Sequence, residues 1–302
     1  MEATARQFLG LLGAAAHGVT IRVKLFSMPG VPCSPWRREF LSTYYSDFDS
    51  LWDCQLDGLI VTGTEPRAPN LTDEPYWQCL SEIIDWAEEN TIGTVWSCLA
   101  AHAAVLHLDG IRRSPLADKC FGLFQHAKVA DSGLLKGLPA RIPTPHSRWN
   151  EVSEDALVSC GYRVLTRSPE AGVDIFVKQR KSLFLFFQGH PEYDADTLSR
   201  EYRRDVGRFL RGERESYPRM PKGYFDDPTS TILEAFRVRA LGDRRDELLT
   251  DFPTEYIGGR LQNTWHSTAL CTYRNWLDYI VERKASRAKI ARPAAAYSVG
   301  VP

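Results

Sequence analysis

No stretch of this 302-residue chain carries the roughly 18 consecutive apolar residues that a membrane-spanning helix needs. The N-terminal segment has Arg6, but Gly10–Ala15 is not followed by the cleavage region of a secretory signal, so the chain reads as cytoplasmic, with no membrane partner. An excess of one charge is missing too. The 37 Lys and Arg residues stand against 38 Asp and Glu, a formal net charge of −1, which removes the electrostatic case for nucleic acid or an anionic surface as partner. The seven cysteines (33, 54, 79, 98, 120, 160 and 271) form no CxxC pair and no metal-type spacing. An odd, scattered set of this kind argues for reduced thiols rather than a disulfide framework or a metal site. Internal repeats are absent. What remains is the composition of a soluble globular protein, 43% hydrophobic and 25% charged.

Periodicity then orders the chain. Residues 2–12 predict a helix with Phe8, Leu11 and Leu12 on one face, and residues 19–26 alternate as a strand does. Residues 29–35 form a Pro- and Gly-rich loop, and residues 37–52 predict a helix carrying Phe40, Leu41, Tyr44 and Tyr45. Residues 56–63 predict a core strand that runs into a Gly turn, and residues 74–89 a helix. Residues 91–110 begin as a β-branched, aromatic strand and end as an Ala- and Leu-rich helix stopped by Gly110. Strand and helix alternating at this spacing imply an α/β fold with a parallel sheet covered on both faces. Ligands of such sheets bind at the carboxyl ends of the strands, where Gly63 and Cys98 fall. After Gly110 the pattern turns antiparallel, with strands expected at 121–129, 163–166, 173–178 and 182–188. An Arg-rich helix is expected at 195–210, a polar surface segment at 211–228, and helices at 232–249 and 268–284. Residues 1–290 read as a single α/β domain, and residues 291–302 as a disordered, Ala- and Pro-rich tail.

Two places carry chemistry. Cys98 sits at a strand-to-helix junction, where the positive end of the helix dipole favours a thiolate. The hydrophobic strand at 182–188 delivers His190 and Glu192 at its carboxyl end, spaced i and i+2 so that an extended segment points both the same way. An imidazole that deprotonates a thiol, oriented by a carboxylate, is what acyl transfer through cysteine requires.

Five segments in this order resemble the homoserine O-acyltransferase family of the succinyltransferase type. They are Asp57 to Gly63, Ser97-Cys98, Pro145-His146-Ser147-Arg148, Gly189 to Asp194, and Glu201-Tyr202-Arg203-Arg204-Asp205. The resemblance spans residues 2–284. It implies a class I glutamine-amidotransferase-like fold: a flavodoxin-like three-layer sandwich with a mostly parallel central sheet and C-terminal helical additions. It implies Cys98 as the nucleophile that takes the acyl group from acyl-CoA, His190 as the general base and Glu192 as its orienting acid. Arg204 matches the residue that holds the substrate α-carboxylate, a task that suits a guanidinium. Lys119 and Ser147 match further substrate-binding positions. Acyl-CoA enters as co-substrate, no cofactor or metal is implied, and a homodimer is. From position, the backbone N–H of Leu99 and one from the Gly63-Thr64 turn form the expected oxyanion hole.

The chain departs from the family pattern in three places. The family usually has a further strand and a Lys-bearing loop ahead of the helix that opens here at Glu2. Leu99 and His102 replace the family's Trp and Gln after the nucleophile. The loop position that sets acyl-CoA preference falls on Arg67, which suits pairing with the free carboxylate of a succinyl-like group. Two alternatives stand beside the acyltransferase reading. One is a glutamine amidotransferase-like amide hydrolase, although Trp96 and Ala100 flank Cys98 where such enzymes usually have Gly. The other is a binding relative with an altered site.

Overall fold

The computed structural model describes residues 2–31 and 35–290, with side chains from 39 onward in the second segment. The expected tail beyond residue 290 and Cys33 lie outside the described residues. The chain runs α1 (Glu2–Ala15), α2 (Pro35–Tyr44), β1 (Gly58–Val61), α3 (Trp77–Asn90), β2 (Gly93–Ser97), α4 (Leu99–Asp109), β3 (Ser114–Lys128), β4 (Arg141–Glu151) and α5 (Glu154–Ser159). It continues through β5 (Arg163–Val164), β6 (Thr166–Ser168), β7 (Gly172–Val173), β8 (Ile175–Gln179), β9 (Leu183–Phe187), α6 (Thr197–Leu210), α7 (Asp227–Gly242), α8 (Thr254–Gly258) and α9 (His266–Ile290).

The central sheet has the order β1-β2-β9-β8-β5, with β1, β2 and β9 parallel and the last two strands antiparallel. Its strands are apolar on both faces because helices cover both. In β9 the alternation is explicit. Phe184 and Phe186 join Trp96 against α3 and α4, while Leu183, Leu185 and Phe187 join Val95 against α1 and α9. Each such side chain, fully buried, contributes about 1.5–3 kcal/mol. Gly58 and Gly93 let α9 lie close to the sheet, since a Cβ on either would sit within about 3 Å of Ile280 or Trp276. A second sheet, β4-β3-β6-β7, is antiparallel. A third apolar cluster joins α6 and α7 through Leu198, Tyr202, Val206, Leu233 and Phe236.

Several boundaries differ from expectation. The strand expected at 19–26 does not form: only Phe26 bridges Ser46, and Val23 is exposed, because no neighbouring strand is offered to the alternating segment. The helix expected at 37–52 ends at Tyr44, where Ser46 pairs back to residue 26 and a 3-10 turn follows at Phe48–Leu51. Two expected strands each break into two. Leu165 and Asp174 are where the chain passes from the central sheet to the second one, so β5 and β8 belong to one sheet and β6 and β7 to the other. The helix expected at 232–249 begins earlier, at Asp227, because the carboxylate of Asp226 caps it by accepting from the Thr229 N–H at 2.9 Å and Pro228 fits the first turn. It also ends earlier, at Gly242, and a 3-10 turn follows. Strand β4 escapes sequence reasoning, since Pro143 and Pro145 argue against a strand. It is tolerated because β4 is the edge of its sheet.

Candidate active site

Cys98 lies between β2 and α4 as the N-cap of that helix. Its backbone has φ 54° and ψ −114°, and among the described residues it is the one position other than glycine with positive φ. Such a conformation costs on the order of 1–3 kcal/mol and persists only where the surroundings over-determine it. Here they do. The Cys98 N–H donates to Phe187 O at 2.8 Å, and its carbonyl accepts from Ala101 and His102. The strained turn lifts the thiol out of the sheet edge, as a nucleophile elbow requires.

The carboxyl end of the adjacent strand β9 supplies the partners. His190 N–H donates to Pro145 O at 2.8 Å, which anchors the residue to β4. Its Nδ1 is 2.8 Å from Glu192 Oε1, and the Cys98 thiol lies close enough to act on the ring. The two side chains meet across a turn, closed by Tyr193 N–H to His190 O at 3.2 Å, and not along the extended segment that the i, i+2 spacing suggested. Burial works against a charged imidazole. The charges of Cys98 and Glu192 and the hydrogen bonds to both outweigh it and hold His190 well above the ordinary histidine range.

Gly63, just past β1, closes the far side of the elbow. A Cβ there would lie 2.9 Å from the Leu99 N and 3.3 Å from Ser97 O, so this backbone passes directly against the first amide of α4. The loop that follows is held at two points. Glu65 pairs with Arg208 at 3.4 Å, and Glu74 Oε1 accepts from the amides of Arg67 at 2.5 Å and Ala68 at 2.7 Å. It is the Arg67 amide that is fixed, while the Arg67 residue is exposed.

The altered position His102 has a structural answer. Its Nε2–H donates to Gln188 Oε1 at 3.0 Å, and that same oxygen accepts from Val152 N–H at 2.9 Å. Gln188 Nε2 in turn donates to Val173 O at 2.7 Å. The first turns of α4 are thereby clamped to the residue two before His190. Burial lowers the His102 pKa to about 3, so the ring is neutral at physiological pH.

A second polar group surrounds the polar face of α6. Glu201, Arg204, Asp205 and Arg208 follow helical spacing and share that face. Lys119 of β3 lies 3.1 Å from Asp205 and 3.8 Å from Glu201, and Ser147 of β4 donates to Glu201 Oε2. Arg204 reaches Asp205 Oδ1 from Nε and Nη2 at 3.3 and 3.2 Å and is about half exposed. Burial pushes the Asp205 carboxyl up, but Lys119 and Arg204 outweigh it, and its pKa falls below the ordinary range. Tyr193 links this group to the first. Its ring stacks on His190 with centroids 4.2 Å apart, and its hydroxyl donates to Glu201 Oε1 at 2.6 Å. Sequence reasoning gave no role to Tyr193, Glu201, Asp205 or Gln188. The i, i+3, i+4 spacing of the two acids around Arg204 was the available signal for Glu201 and Asp205; for Tyr193 there was none beyond its place beside Glu192.

Among the described residues one cluster has metal-ligand spacing: His126, His146 and Asp174, all buried, with ligand atoms within 4.8 Å of one another. Arg148 Nε–H donates to His146 Nδ1 at 3.4 Å, which puts the neutral ring's proton on Nε2, facing the cluster. In that tautomer His146 presents a donor where an ion needs a lone pair, and Arg148 adds a positive charge beside it. His126 Nε2, His146 Nε2 and Asp174 Oδ2 are buried without a hydrogen-bond partner, while Asp174 Oδ1 accepts from the Gly189 N–H at 2.8 Å.

The family model of homoserine O-succinyltransferase matches residues 1–287. The chain belongs to the homoserine O-succinyltransferase family. It is 48% identical to the homoserine O-succinyltransferase of Rhodopseudomonas palustris over 92% of this chain and 83% of that protein. Its similarity to the homoserine O-succinyltransferases of Bradyrhizobium japonicum and Methylorubrum extorquens is comparable, at 47% and 46% identity over 93% of this chain and 86% and 84% of theirs. Among solved structures, a glutamine amidotransferase from Thermotoga maritima aligns over 74% of this chain and 78% of its own, at 14% identity and a TM-score of 0.45. Family membership gives a context for the strained Cys98, the His190–Glu192 pair and the charged face of α6. Homoserine O-succinyltransferases are acyltransferases, and this arrangement is one that acyl transfer can use.

Proposed function

We propose that this protein transfers a succinyl group from succinyl-CoA to the hydroxyl of L-homoserine, by a ping-pong route through a thioester on Cys98. The observation that carries the reading is the strained Cys98 turn beside a hydrogen-bonded His190–Glu192 pair, with Tyr193 joining His190 to a charged α6 face.

In the first half-reaction the Cys98 sulfur, its proton held by His190, attacks the thioester carbonyl. The oxyanion is met by the Leu99 N–H and an amide of the Gly63-Thr64 turn. The C–S bond to CoA breaks, and the imidazolium gives its proton to the departing thiolate. His190 is then neutral, and the Cys98 charge that favoured its protonated form is gone, so the ring is ready to act as a base. In the second half-reaction His190 takes the proton of the homoserine hydroxyl as that oxygen attacks acyl-Cys98. Collapse of the adduct expels the Cys98 thiolate and restores the starting ion pair, with Glu192 holding the ring throughout. Arg204 takes the substrate α-carboxylate and Glu201 its ammonium group, with Lys119 and Ser147 fixing the Glu201–Asp205 pair in place. Acyl-CoA serves as co-substrate, with no resident cofactor. The described residues include no helix long and apolar enough to cross a membrane, which accords with a cytoplasmic biosynthetic enzyme acting on small molecules.

Intact-protein mass spectrometry after mixing with succinyl-CoA alone tests the reading. A single succinyl adduct is expected on Cys98 and none on Cys98→Ser, with CoA-releasing turnover falling by about 10⁴-fold or more in that variant. Turnover without any adduct on the parent protein overturns the ping-pong route.

A further inference from the structure

The loop after Gly63 is pinned by a carboxylate that has a second task. Glu74 is 4% exposed; its Oε1 holds the Arg67 and Ala68 amides, and its Oε2 is buried with no hydrogen-bond partner. Tyr76, 3% exposed, likewise buries a hydroxyl that has no partner. Arg113, four residues past the end of α4 and in the segment that leads into β3, lies within electrostatic reach of both of these groups and of Cys98. Among the described residues no hydrogen bond or ion pair engages its guanidinium. A half-buried cation with its five donors uncommitted, within electrostatic reach of the nucleophile, is equipped to bind an anion. Burial lowers its pKa, and the fields of Tyr76, Glu74 and Cys98 recover only part of that loss. A bound carboxylate would supply the rest.

We infer that Arg113, and not Arg67, binds the free carboxylate of a dicarboxylic acyl donor and so sets the preference of Cys98 for succinyl over neutral acyl thioesters. This rests on the acyl-transfer reading above and deepens it. Glu74 and Tyr76 act on the guanidinium through their fields and leave its donors free, and Glu74 holds the adjoining loop through the Arg67 and Ala68 amides. Arg67 contributes its amide to that loop, while its side chain plays no part in recognition.

The test compares succinyl-CoA with butyryl-CoA, which has the same chain length and a methyl group where succinyl has its carboxylate. Rates of Cys98 acylation are read by intact mass, and kcat/KM by CoA release, on the full chain. Arg113→Leu is expected to lower kcat/KM for succinyl-CoA by about 10- to 100-fold, the worth of hydrogen bonds to a charged group, while butyryl-CoA changes little. Arg113→Lys keeps the cation and should recover part of the loss, and Arg67→Ala should leave the donor ratio unchanged. Thermal unfolding of each variant checks its fold, and Arg113→Gln reads the same ratio should the leucine variant not fold. An unchanged succinyl-to-butyryl ratio in Arg113→Leu, or an equal loss with both donors, overturns the assignment while the acyl-transfer reading stands. Absence of any adduct on the parent protein overturns both.

Discussion

The Cys98 turn and the polar face of α6 lie on either side of His190 and are built in opposite ways. The turn is made of backbone: one strained residue held by Phe187 O, a glycine pressed against the Leu99 amide, and a neutral His102 clamped to Gln188. The α6 face is made of side-chain charge: Lys119, Glu201, Arg204 and Asp205 paired among themselves with partial exposure. Backbone geometry cannot adapt, which suits the step common to every acyl donor. Charged side chains can exchange one partner for another, which suits recognition of an incoming amino acid. On the proposed function the reaction and its acceptor specificity are separately encoded, and Tyr193, in contact with His190 and Glu201, is the link between them.

The contrast can be broken from the backbone side first. Gly63→Ala places a methyl group 2.9 Å from the Leu99 N. Loss of that donor should lower kcat by about 10²- to 10³-fold, the usual cost of removing an oxyanion contact. Steady-state kinetics with unchanged thermal stability would support this, and near-normal kcat would remove the Gly63–Leu99 pair from the mechanism. On the other side, Arg204→Leu should raise KM for homoserine by about 10- to 100-fold and leave succinyl loading of Cys98 at its parent rate. Slowed loading would show that α6 serves both half-reactions. The smallest effect is one of stability. His102 has a folded pKa of about 3 against 6.5 in the ordinary state. As pH falls from 6.5 toward 3 the unfolded chain takes up a proton that the folded one refuses, so folding free energy drops by about 1.4 kcal/mol per pH unit on this account. Above pH 6.5 the contribution is constant. His102→Gln cannot titrate, and urea unfolding between pH 6.5 and 4 should show a slope shallower by about that amount. An unchanged slope would place the acid sensitivity on His126 and His146 instead.

Much of this architecture was legible in the residues. The strand–turn–helix around Cys98 announces itself by a change from β-branched to Ala-rich composition, and β9 by an unbroken apolar run, because a strand buried on both faces tolerates nothing else. The failures have a common cause. Residues 19–26 alternate as a strand does but pair only through Phe26; β4 carries two prolines yet pairs with β3 on both sides of a register shift because it lies at a sheet edge; residues 163–166 and 173–178 each look like one strand and serve two sheets. Pairing is a property of neighbours, and a local pattern does not contain them.

The candidate site divides the same way. Cys98, His190, Glu192, Lys119, Ser147, Arg204 and Arg67 could be named from motifs and resemblance, since those residue types suit the chemistry. Which of them meet, and through whom, was settled by the fold. Arg204 and Lys119 converge on Asp205, Ser147 on Glu201, and the Arg67 amide on Glu74. His102, a departure when read along the chain, is accommodated by Gln188, 86 residues away. Sequence by itself determined the chemical inventory and the strands that carry it, because composition and periodicity are local. Tertiary structure alone decided the strained Cys98 backbone, the Tyr193 bridge and the unpaired Arg113, because each depends on groups far apart in the chain being brought within hydrogen-bonding or electrostatic reach.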